Sequence, residues 1–328
     1  MPKSQGRALD RKKLLADPIL VAAIIGIFLF LFLFILYPLA ILLTDSVVVE
    51  KNINGTTLKT IGFANFIKIF KMTNFRHAIS NTLWLGLISG IGSTVIGFLF
   101  AYVDSYVAVG SKIVKKLFGV VSILPVVSPP FVLSLSAILL FGRTGVITRG
   151  LFNMNNTQLY GWRGIALVQI LTFFPVCYMM LKGLLKNIDP SLEEAARNMG
   201  AGRFKVFQTV TFPLLLPGIG NAFLVSFIES VADFANPMII GGNFDTLATS
   251  IYLQLTGAYD KSGATAMAVV LLVISMGLFI LEKYWLERKS VATLTGKATR
   301  GRAAITDSSV RIPLVTICTL LTVFVISM

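Results

Sequence analysis

Histidine and cysteine are scarce in this chain, which has one histidine and two cysteines among 328 residues. Because His77 is the only histidine, clusters of histidine ligands and histidine-dependent catalytic triads are not expected. Cys177 and Cys318 both lie in apolar runs and share no metal-like spacing, so neither a disulfide framework nor a zinc site is indicated. We therefore expect no metal site in this chain.

The chain also lacks the glycine-rich loops that bind nucleotides. No segment matches the phosphate-binding pattern G-x-x-x-x-G-K-[ST]. Gly200-Ala201-Gly202 lacks the third glycine of a dinucleotide fingerprint and does not follow a predicted strand. We expect a chain that binds no cofactor and is not an enzyme.

Charged residues make up only 13% of the chain, whereas soluble domains carry about 25%. Hydrophobic residues make up 55%, and the mean hydropathy is +0.81, values typical of a protein that crosses a membrane many times. The net charge of +14 does not indicate a nucleic-acid partner, because the basic residues lie in short loops between apolar segments. Membrane lipid is the contact that this composition predicts.

Long apolar runs predict an all-α polytopic fold with six complete membrane spans. The predicted spans cover about residues 18–43, 78–103, 117–141, 164–185, 214–235 and 264–286. The first is too long for the core of a signal peptide and no small-residue cleavage site follows it, so we interpret it as a retained helix.

Lysine and arginine are concentrated on one side of these spans. Most of them lie in the basic tail of residues 1–17, in the loop around residues 112–116, in residues 182–205, and from residue 283 onward. The positive-inside rule therefore places the N-terminus in the cytoplasm, together with the loop of residues 189–217.

The outer segment of residues 44–76 has an apolar stripe at helical spacing, formed by Phe63, Phe66, Ile67 and Phe70. This pattern predicts an interfacial helix. We interpret the stripe as packing against the bundle rather than as a contact with a partner.

The third predicted span contains Pro125, Pro129 and Pro130, which remove three backbone donors and must interrupt the helix. A broken helix at membrane depth is tolerated where it lines a cavity or is covered by protein. Pro129 and Pro130 therefore predict either a translocation pathway or a kinked structural helix.

Two acidic residues fall in the fifth predicted span, where a carboxylate near the bilayer centre costs about 3 kcal/mol. Glu229 and Asp233 are four residues apart and so share one helix face, close to Asn236. One interpretation is a cation-attracting lining or gate. The alternative is a hydrogen bond between helices or a carboxyl group kept neutral by burial.

The loop of residues 189–217 is a charged, amphipathic island between two spans. Asp189 or Ser191 can cap a first helix that runs through the glutamates, and Gly200 with Gly202 permits a turn. A second short helix is predicted from about Arg203. It places Phe204 and Phe207 on one face, and Pro213 and Pro217 are predicted to mark where the chain re-enters the membrane.

These residues resemble the EAA loop of ABC importer permeases, which follows the pattern E-A-A-x3-G-x9-I-x-L-P. The matching residues are Glu194, Ala195, Ala196, Gly200, Val210, Phe212 and Pro213. Val210 and Phe212 replace the usual isoleucine and leucine but keep the apolar character. The resemblance implies a type I importer transmembrane bundle over residues 18–286.

In that family the loop is a cytoplasmic coupling helix that docks into a cleft on the ATP-hydrolysing subunit. The resemblance thus implies ATPase-coupling residues Glu193, Glu194, Ala195, Ala196, Gly200, Phe204, Phe207 and Pro213. It also implies three kinds of partner, namely ABC ATPase subunits, a soluble substrate-binding protein outside the membrane and a second permease half. A bacterial inner membrane is the expected location.

Three further segments look like the ferric-iron branch of these permeases. They are S-P-P-F-V-L with F-G-R-T-G, D-F-A-N-P-M-I-I-G-G and I-Y-L-Q-L-T-G-A-Y-D. The implied function is ATP-driven import of ferric iron. Permeases for phosphonate, thiamine and polyamines share much of this pattern, so these cargoes are alternatives. An ion-coupled secondary transporter is a further alternative, but it leaves the spacing of the EAA residues unexplained.

The end of the chain predicts a basic cytoplasmic linker over residues 287–310 and a further apolar run over residues 311–328. Because the ferric-iron branch is often built from two fused permease halves, the resemblance suggests that this run begins a second half. The alternative is a genuine seventh span with its end outside.

Overall fold

The computed structural model describes residues 18–53, 56–129, 131–154, 158–286 and 305–328. The predicted tail of residues 1–17, Pro130 and residues 287–304 of the predicted linker lie outside the described residues. The elements are α1 Pro18–Val47, β1 Val48–Ile53, β2 Thr56–Ile61, α2 Ala64–Lys71, α3 Thr73–Tyr106, α4 Lys112–Val121, α5 Leu124–Val127, α6 Val132–Phe141, α7 Trp162–Asn187, α8 Pro190–Asn198, α9 Arg203–Ala232, α10 Ala235–Ile240, α11 Leu247–Thr256, α12 Lys261–Tyr284 and α13 Ser308–Ser327.

Seven segments of the described chain are long and apolar enough to cross a membrane. They are α1, α3, α7, α9, α12, α13 and the segment Val132–Leu151, in which a π-helical turn at Val146–Leu151 follows α6. The prediction of an all-α polytopic fold is therefore confirmed. Five of the six predicted complete spans correspond directly to one of these helices.

The third predicted span is interrupted at its prolines, as predicted, but the segment long enough to cross starts later than expected. The structure divides it into α4, α5 and α6, and the segment long enough to cross begins only at Val132. Pro125 occupies the first turn of α5, where a missing N–H is tolerated. Ser128 is extended, with φ −73° and ψ 144°, because a residue that precedes proline is disfavoured in the helical region.

The chain forms two compact units, of which the first comprises Met1–Lys71 with Gln254–Val270. Here β1 and β2 pair as an antiparallel hairpin, with Val48 opposite Ile61, in a region where the sequence predicted only a helix. The following helix, α2, turns Asn65 and Ile69 inward. The Asn65 amide donates to the carbonyl oxygens of Ser46 and Val48, at 3.0 and 2.9 Å.

Of the four side chains in the apolar stripe, Phe66 is half-buried and the other three are exposed. The side chains of Phe63, Ile67 and Phe70 are 71%, 55% and 48% exposed. Because Asn65 and Ile69 are four residues apart, they form a different face of α2, and that face is buried through the Asn65 hydrogen bonds. The stripe is thus left on the surface of the chain.

Asp260 holds the first unit together through three donors. Its carboxylate accepts from Lys68 Nζ at 2.6 Å, from Gln254 Nε2 at 2.9 Å and from the Gly263 N–H at 2.9 Å. Burial raises the pKa of the carboxyl group, but these donors outweigh burial and hold the pKa below its usual range. The ionised form is therefore the one that the fold favours.

Replacement of this carboxylate has a pH-dependent effect. Because the pKa of Asp260 is lower in the folded protein than the value of about 3.9 in the unfolded chain, its carboxylate stabilises the fold fully above a pH of about 3.9. This stabilisation is lost as the pH falls through the pKa of Asp260 in the folded protein. We expect Asp260→Asn to lower the unfolding free energy at pH 7 by about 1 kcal/mol or less, because Lys68 is largely exposed. Thermal unfolding in lipid nanodiscs should show this difference narrowing as pH falls from about 5 to about 3. The exposed Asp245→Asn is the control, and a difference that grows in acid would contradict the prediction.

The second unit comprises Met72–Leu253 with Leu271–Met328, and its core lies between α3, α7 and α9. Small residues on α3 allow the helices to approach closely. A Cβ atom at Gly97 would lie 2.6 Å from Cys177 Cβ and 2.9 Å from the Phe174 carbonyl oxygen on α7. At this point the two backbones are in contact, so only glycine fits.

A larger side chain at this contact must separate the helices. We expect Gly97→Leu to destabilise the second unit by about 3 kcal/mol or more, because neither the Phe174 carbonyl nor the α7 backbone can move aside alone. The matched control is Gly183→Leu on α7, where nothing lies within 4 Å of a Cβ atom. Thermal unfolding of the purified chain in detergent measures both, and equal melting temperatures for the two variants would refute the prediction.

The last helix begins earlier than predicted. Ser308 starts α13, three residues before the expected residue 311, and the Asp307 carboxylate caps it by accepting the Ser309 N–H at 3.1 Å. Ile305, within the predicted linker, is only 6% exposed and forms a parallel β-bridge with Val107. Its N–H donates to the Tyr106 carbonyl oxygen at 2.7 Å. These residues are therefore ordered against the end of α3.

Candidate functional site

The coupling loop, defined here as residues 189–217, begins with the well-capped helix α8. The Asp189 carboxylate accepts the Ser191 N–H at 2.9 Å, so Asp189 is the cap and Ser191 lies in the first turn beside Pro190. This hydrogen bond holds the pKa of Asp189 below its usual range. The helix start is thus set by a local interaction that needs no tertiary contact.

A glycine turn ends α8. Gly200 has φ +85°, a left-handed conformation that other residues resist, and its N–H donates to the Arg197 carbonyl oxygen at 2.9 Å. The Ala201 N–H then donates to the Ala196 carbonyl oxygen at 3.1 Å. Gly202 follows in an extended conformation at the start of α9. The turn reverses the chain between two helices.

Glu193 faces the membrane-spanning helices and not the solvent. It is 4% exposed, and its Oε1 accepts from the Tyr106 hydroxyl at 2.6 Å and from the Thr211 hydroxyl at 3.0 Å. Tyr106 is the last residue of α3 and Thr211 lies in the third turn of α9. A single carboxylate therefore connects α8 to two membrane spans.

The other face of the coupling loop is open. Glu194 and Ala195 are exposed, whereas Ala196 lies on the buried face of α8. Met199 and Phe204, on either side of the glycine turn, are 82% and 72% exposed. These two are the most exposed of the large apolar side chains on the coupling loop, as expected for a surface that contacts another protein.

Phe204 and Phe207 line one groove near the start of α9, beside Tyr102 on α3, as expected for residues on one helix face. Phe207 is half-buried, with its ring centroid 5.7 Å from that of Tyr102 and 6.4 Å from that of Phe98 on α3. Phe204 is 72% exposed and so lies at the open edge of the groove.

Pro213 does not mark a break before re-entry. It lies inside the continuous helix α9, which runs from Arg203 through Ala232, and Pro217 lies one turn further on. A π-helical turn at Phe207–Thr211 precedes Pro213, and the Phe212 N–H donates to Phe207 five residues back. This wider turn accommodates the missing N–H of Pro213. The second helix of the coupling loop and the membrane span therefore form one continuous helix, α9.

Asp233 lies at the far end of α9 from the coupling loop, within a set of hydrogen-bonded side chains that we call the Asp233 cluster. Its members are Ser89, Ser134, Gln169, Ser230, Asp233 and Asn236. Asp233 Oδ2 accepts from Gln169 Nε2 at 2.8 Å and from Asn236 Nδ2 at 2.9 Å. Gln169 Oε1 accepts from Ser89 and Ser230, at 2.8 and 2.6 Å, and Asn236 Oδ1 accepts from Ser134 at 2.8 Å. The cluster joins α3, α6, α7, α9 and α10.

Glu229 has a different environment. Its carboxylate is half-buried and, within the described part of the chain, accepts no hydrogen bond. Pro129 lies in the gap between α5 and α6, and Pro130 lies outside the described residues. Of the predicted pathway residues, the structure thus brings Asp233 and Asn236 into direct contact.

Sequence reasoning missed three groups in this unit. Gln169 is fully buried and bridges the Asp233 cluster, and Met199 is the most exposed of the large apolar side chains on the coupling loop. An ion pair between Lys182 Nζ and Asp104 Oδ2, at 2.6 Å, joins α7 to α3 near the coupling loop. A glutamine in an apolar run was the available signal for Gln169, since a polar amide in a span needs partners.

Comparison with known proteins gives similarity over most of the chain. The putative ferric transport system permease protein FbpB 1 of Haemophilus influenzae is 38% identical over 88% of this chain and 45% of its own length. The ferric transport system permease protein FbpB of Actinobacillus pleuropneumoniae is 37% identical over 88% of this chain and 41% of its own length. The chain thus spans less than half the length of these relatives.

A solved structure shares the fold. A bacterial alginate ABC transporter, in complex with an alginate pentasaccharide-bound periplasmic protein, contains a chain that is 18% identical, with a TM-score of 0.66 over 85% of this chain and 97% of that chain. Residues 93–290 match the family described as binding-protein-dependent transport system inner membrane component. Because that match covers more than half of the sequence, from the middle of α3 past α12, this chain belongs to the binding-protein-dependent transport system inner membrane components.

Proposed function

We propose that this chain is the permease subunit of an ATP-driven, binding-protein-dependent importer of ferric iron. The observation that carries the proposal is the two-sided coupling loop. One side exposes Met199 and Phe204, and the other side connects Glu193 to α3 and α9. A partner that moves the loop would therefore move two membrane spans. The ferric cargo is taken from the two relatives, both named as ferric transport permeases.

The coupling would act by rigid-body motion. An ATPase subunit that seats Met199 and Phe204 transmits its own closure to α8, and the Glu193 carboxylate passes that motion to Tyr106 and Thr211. Because α9 is continuous from the coupling loop to Ala232, displacement at one end reaches the Asp233 cluster at the other. Nucleotide then biases a two-state equilibrium between inward-open and outward-open forms.

The Asp233 cluster is proposed as the gate of the translocation path. Five helices meet at its hydrogen bonds, so their relative movement requires these bonds to exchange. Glu229, one helical turn away on α9, adds a carboxylate without a hydrogen-bonding partner among the described residues and supplies negative charge that attracts a cation. Pro129 lies in the gap before α6, the helix that contributes Ser134 to the Asp233 cluster, and we assign Pro129 and Pro130 to the same path.

The partners follow from this role. They are two ABC ATPase subunits at the coupling loop, a soluble substrate-binding protein on the opposite side, and a second permease half. ATP hydrolysis belongs to the partner ATPase and not to this chain. The proposed location is a bacterial inner membrane, with the N-terminus and the coupling loop in the cytoplasm.

ATP hydrolysis in lipid nanodiscs tests the proposal. The assembly contains this chain, its second permease half and the ATPase, with or without binding protein in ferric-loaded and iron-free forms. We expect only the ferric-loaded form to stimulate hydrolysis. If a phosphonate, thiamine or polyamine binding protein stimulates hydrolysis instead, the ferric assignment is wrong and that substrate is the cargo. If no ATPase associates with the chain, the importer assignment is wrong. Transport that persists without ATP but stops when the proton gradient collapses would favour an ion-coupled transporter.

A further inference from the structure

A cavity of about 590 Å³ opens at the end of α7 that is farthest from the coupling loop. Its walls come from the loop before α7 and from the loop after α10, and they include Arg143, Tyr160, Trp162 and Asn243. With 26 residues, α7 is about 39 Å long. The cavity and the coupling loop are therefore at opposite membrane faces, which places the cavity on the outer side in the proposed orientation. We call it the Arg143 cavity.

The loops that form the cavity are held in place before any ligand arrives. The Gly161 N–H donates to the Ile240 carbonyl oxygen at 3.0 Å, which ties the loop before α7 to the end of α10. The buried Thr148 hydroxyl donates to the Gly142 carbonyl oxygen at 2.6 Å and fixes the turn that carries Arg143. A Cβ atom at Gly142 would lie 2.3 Å from the Ile138 carbonyl oxygen, so this turn also depends on glycine.

Two arginines near this end of α7 lie over aromatic rings, and one of them, Arg143, lines the cavity. The Arg143 guanidinium lies 5.6 Å from the Tyr160 ring centroid, and the Arg163 guanidinium lies 5.5 Å from the Trp162 ring centroid. Neither forms an ion pair with a carboxylate of the described residues. Stacking holds the plane of a guanidinium while its N–H groups at the edge stay available. No acidic residue lines the cavity, although Asp245 lies two residues beyond Asn243.

This arrangement repels a bare cation and suits an anion. A planar, preorganised guanidinium binds carboxylate or phosphate oxygens through two parallel hydrogen bonds. We propose that the Arg143 cavity binds an oxyanion at the outer end of the translocation path. The inference rests on the proposed function in one respect, since it makes the cargo a ferric ion that arrives with its oxygen-donor anions attached.

The position of the cavity relative to the acidic residues supports this assignment. Ile240, which holds Gly161, is the last residue of α10, and Asn236 on the same short helix binds Asp233. The Arg143 cavity and Asp233 are therefore linked through one short helix, α10. The positive charge of Arg143 suits the anionic ligands of a ferric complex, and the negative charges of Asp233 and Glu229 suit its metal ion.

Binding of citrate to the purified chain in nanodiscs, followed by isothermal titration calorimetry, tests the inference. Hydrogen bonds to a charged group are worth about 1.5–3 kcal/mol, so we expect Arg143→Gln to raise the Kd for citrate by about tenfold or more. Arg143→Lys should lie between that variant and the parent, because lysine keeps the charge but loses the two-pronged geometry. The control is Arg149→Gln, an exposed arginine of the same loop outside the cavity, which should bind citrate as the parent does.

Five further measurements distinguish the sources of the anion and the competing explanations. Tighter binding of ferric citrate than of citrate alone supports an anion-ligated cargo, whereas equal binding of citrate and inorganic phosphate with no effect of iron supports a free oxyanion at the same site. Binding of lanthanum ion without any anion would overturn the proposal. So would an Arg143→Gln variant that binds citrate normally but loses the soluble binding protein, since the cavity would then be a protein-docking site. If citrate binding depends on Arg143 but ferric-loaded binding protein fails to stimulate ATP hydrolysis, the oxyanion site stands and only the ferric cargo falls.

Discussion

Gly200→Pro is expected to abolish ATP-coupled transport while the chain still inserts into the membrane. Gly200 has φ +85°, whereas proline is fixed near −65°, and its N–H, which proline lacks, donates to Arg197. The turn between α8 and α9 therefore cannot form, and Met199 and Phe204 lose their relative positions. The spans do not depend on this turn, so insertion should persist. The measurement is substrate-stimulated ATP hydrolysis by the assembled complex, with membrane insertion checked by protease protection.

Two substitutions at the same position serve as controls. Asn adopts the left-handed conformation more readily than other non-glycine residues, so Gly200→Asn should retain most of the stimulated hydrolysis. Gly200→Ala should be intermediate, because a Cβ atom meets nothing within 4 Å and the strain of positive φ is about 1–2 kcal/mol. If the proline variant shows normal stimulation, the coupling loop does not transmit the motion of the ATPase.

Asp233→Leu should produce the second large effect, a loss of both stability and transport. Leucine removes the acceptor of three donors, which are the Gln169 amide, the Asn236 amide and the Asn236 N–H. Buried donors left without an acceptor cost about 1–3 kcal/mol each, so we expect a total on the order of 3 kcal/mol after relaxation. Thermal unfolding in nanodiscs and uptake into proteoliposomes measure the two effects.

Conservative variants separate the roles of the two acidic residues. Asp233→Asn keeps one oxygen acceptor and should lose less stability than Asp233→Leu. Glu229→Gln should leave stability nearly unchanged, because the carboxylate accepts no hydrogen bond from the described residues, while uptake of a cationic cargo should fall. If Glu229→Gln combined with Asp233→Asn transports at the parental rate, both residues are structural only.

The membrane spans were predictable because hydropathy and length suffice to identify a helix that crosses a bilayer. The prolines of the third span were recognised as an interruption, but the sequence did not show that the crossing segment would start only after them, at Val132. The β1–β2 hairpin was missed. Its pairing joins residues of two separate strands, and a search for helical periodicity does not detect such a pairing.

The family assignment, made from the spacing of a few residues, is confirmed, whereas the coupling role of residues 189–217 stays a prediction. The two faces of this loop were not predictable in detail, because orientation depends on where α9 starts and on which residues of α3 lie opposite. Glu193 faces the bundle because the hydroxyl groups of Tyr106 and Thr211 donate hydrogen bonds to it. Phe207 packs against α3 because the rings of Tyr102 and Phe98 lie opposite it. Such tertiary partners are distant in sequence and leave no local pattern.

The bridge between Ile305 and the end of α3 has a consequence for the order of folding during synthesis. Tyr106, which binds Glu193 through its hydroxyl, also accepts the Ile305 N–H through its carbonyl oxygen. Ile305 leaves the ribosome long after α3, α8 and α9 have been made, so one support of the coupling loop is missing until residue 305 has been synthesised. A nascent chain would therefore complete the surroundings of Glu193 later than the order of α3, α8 and α9 implies, because the residue that binds the Tyr106 carbonyl oxygen is made after all three helices.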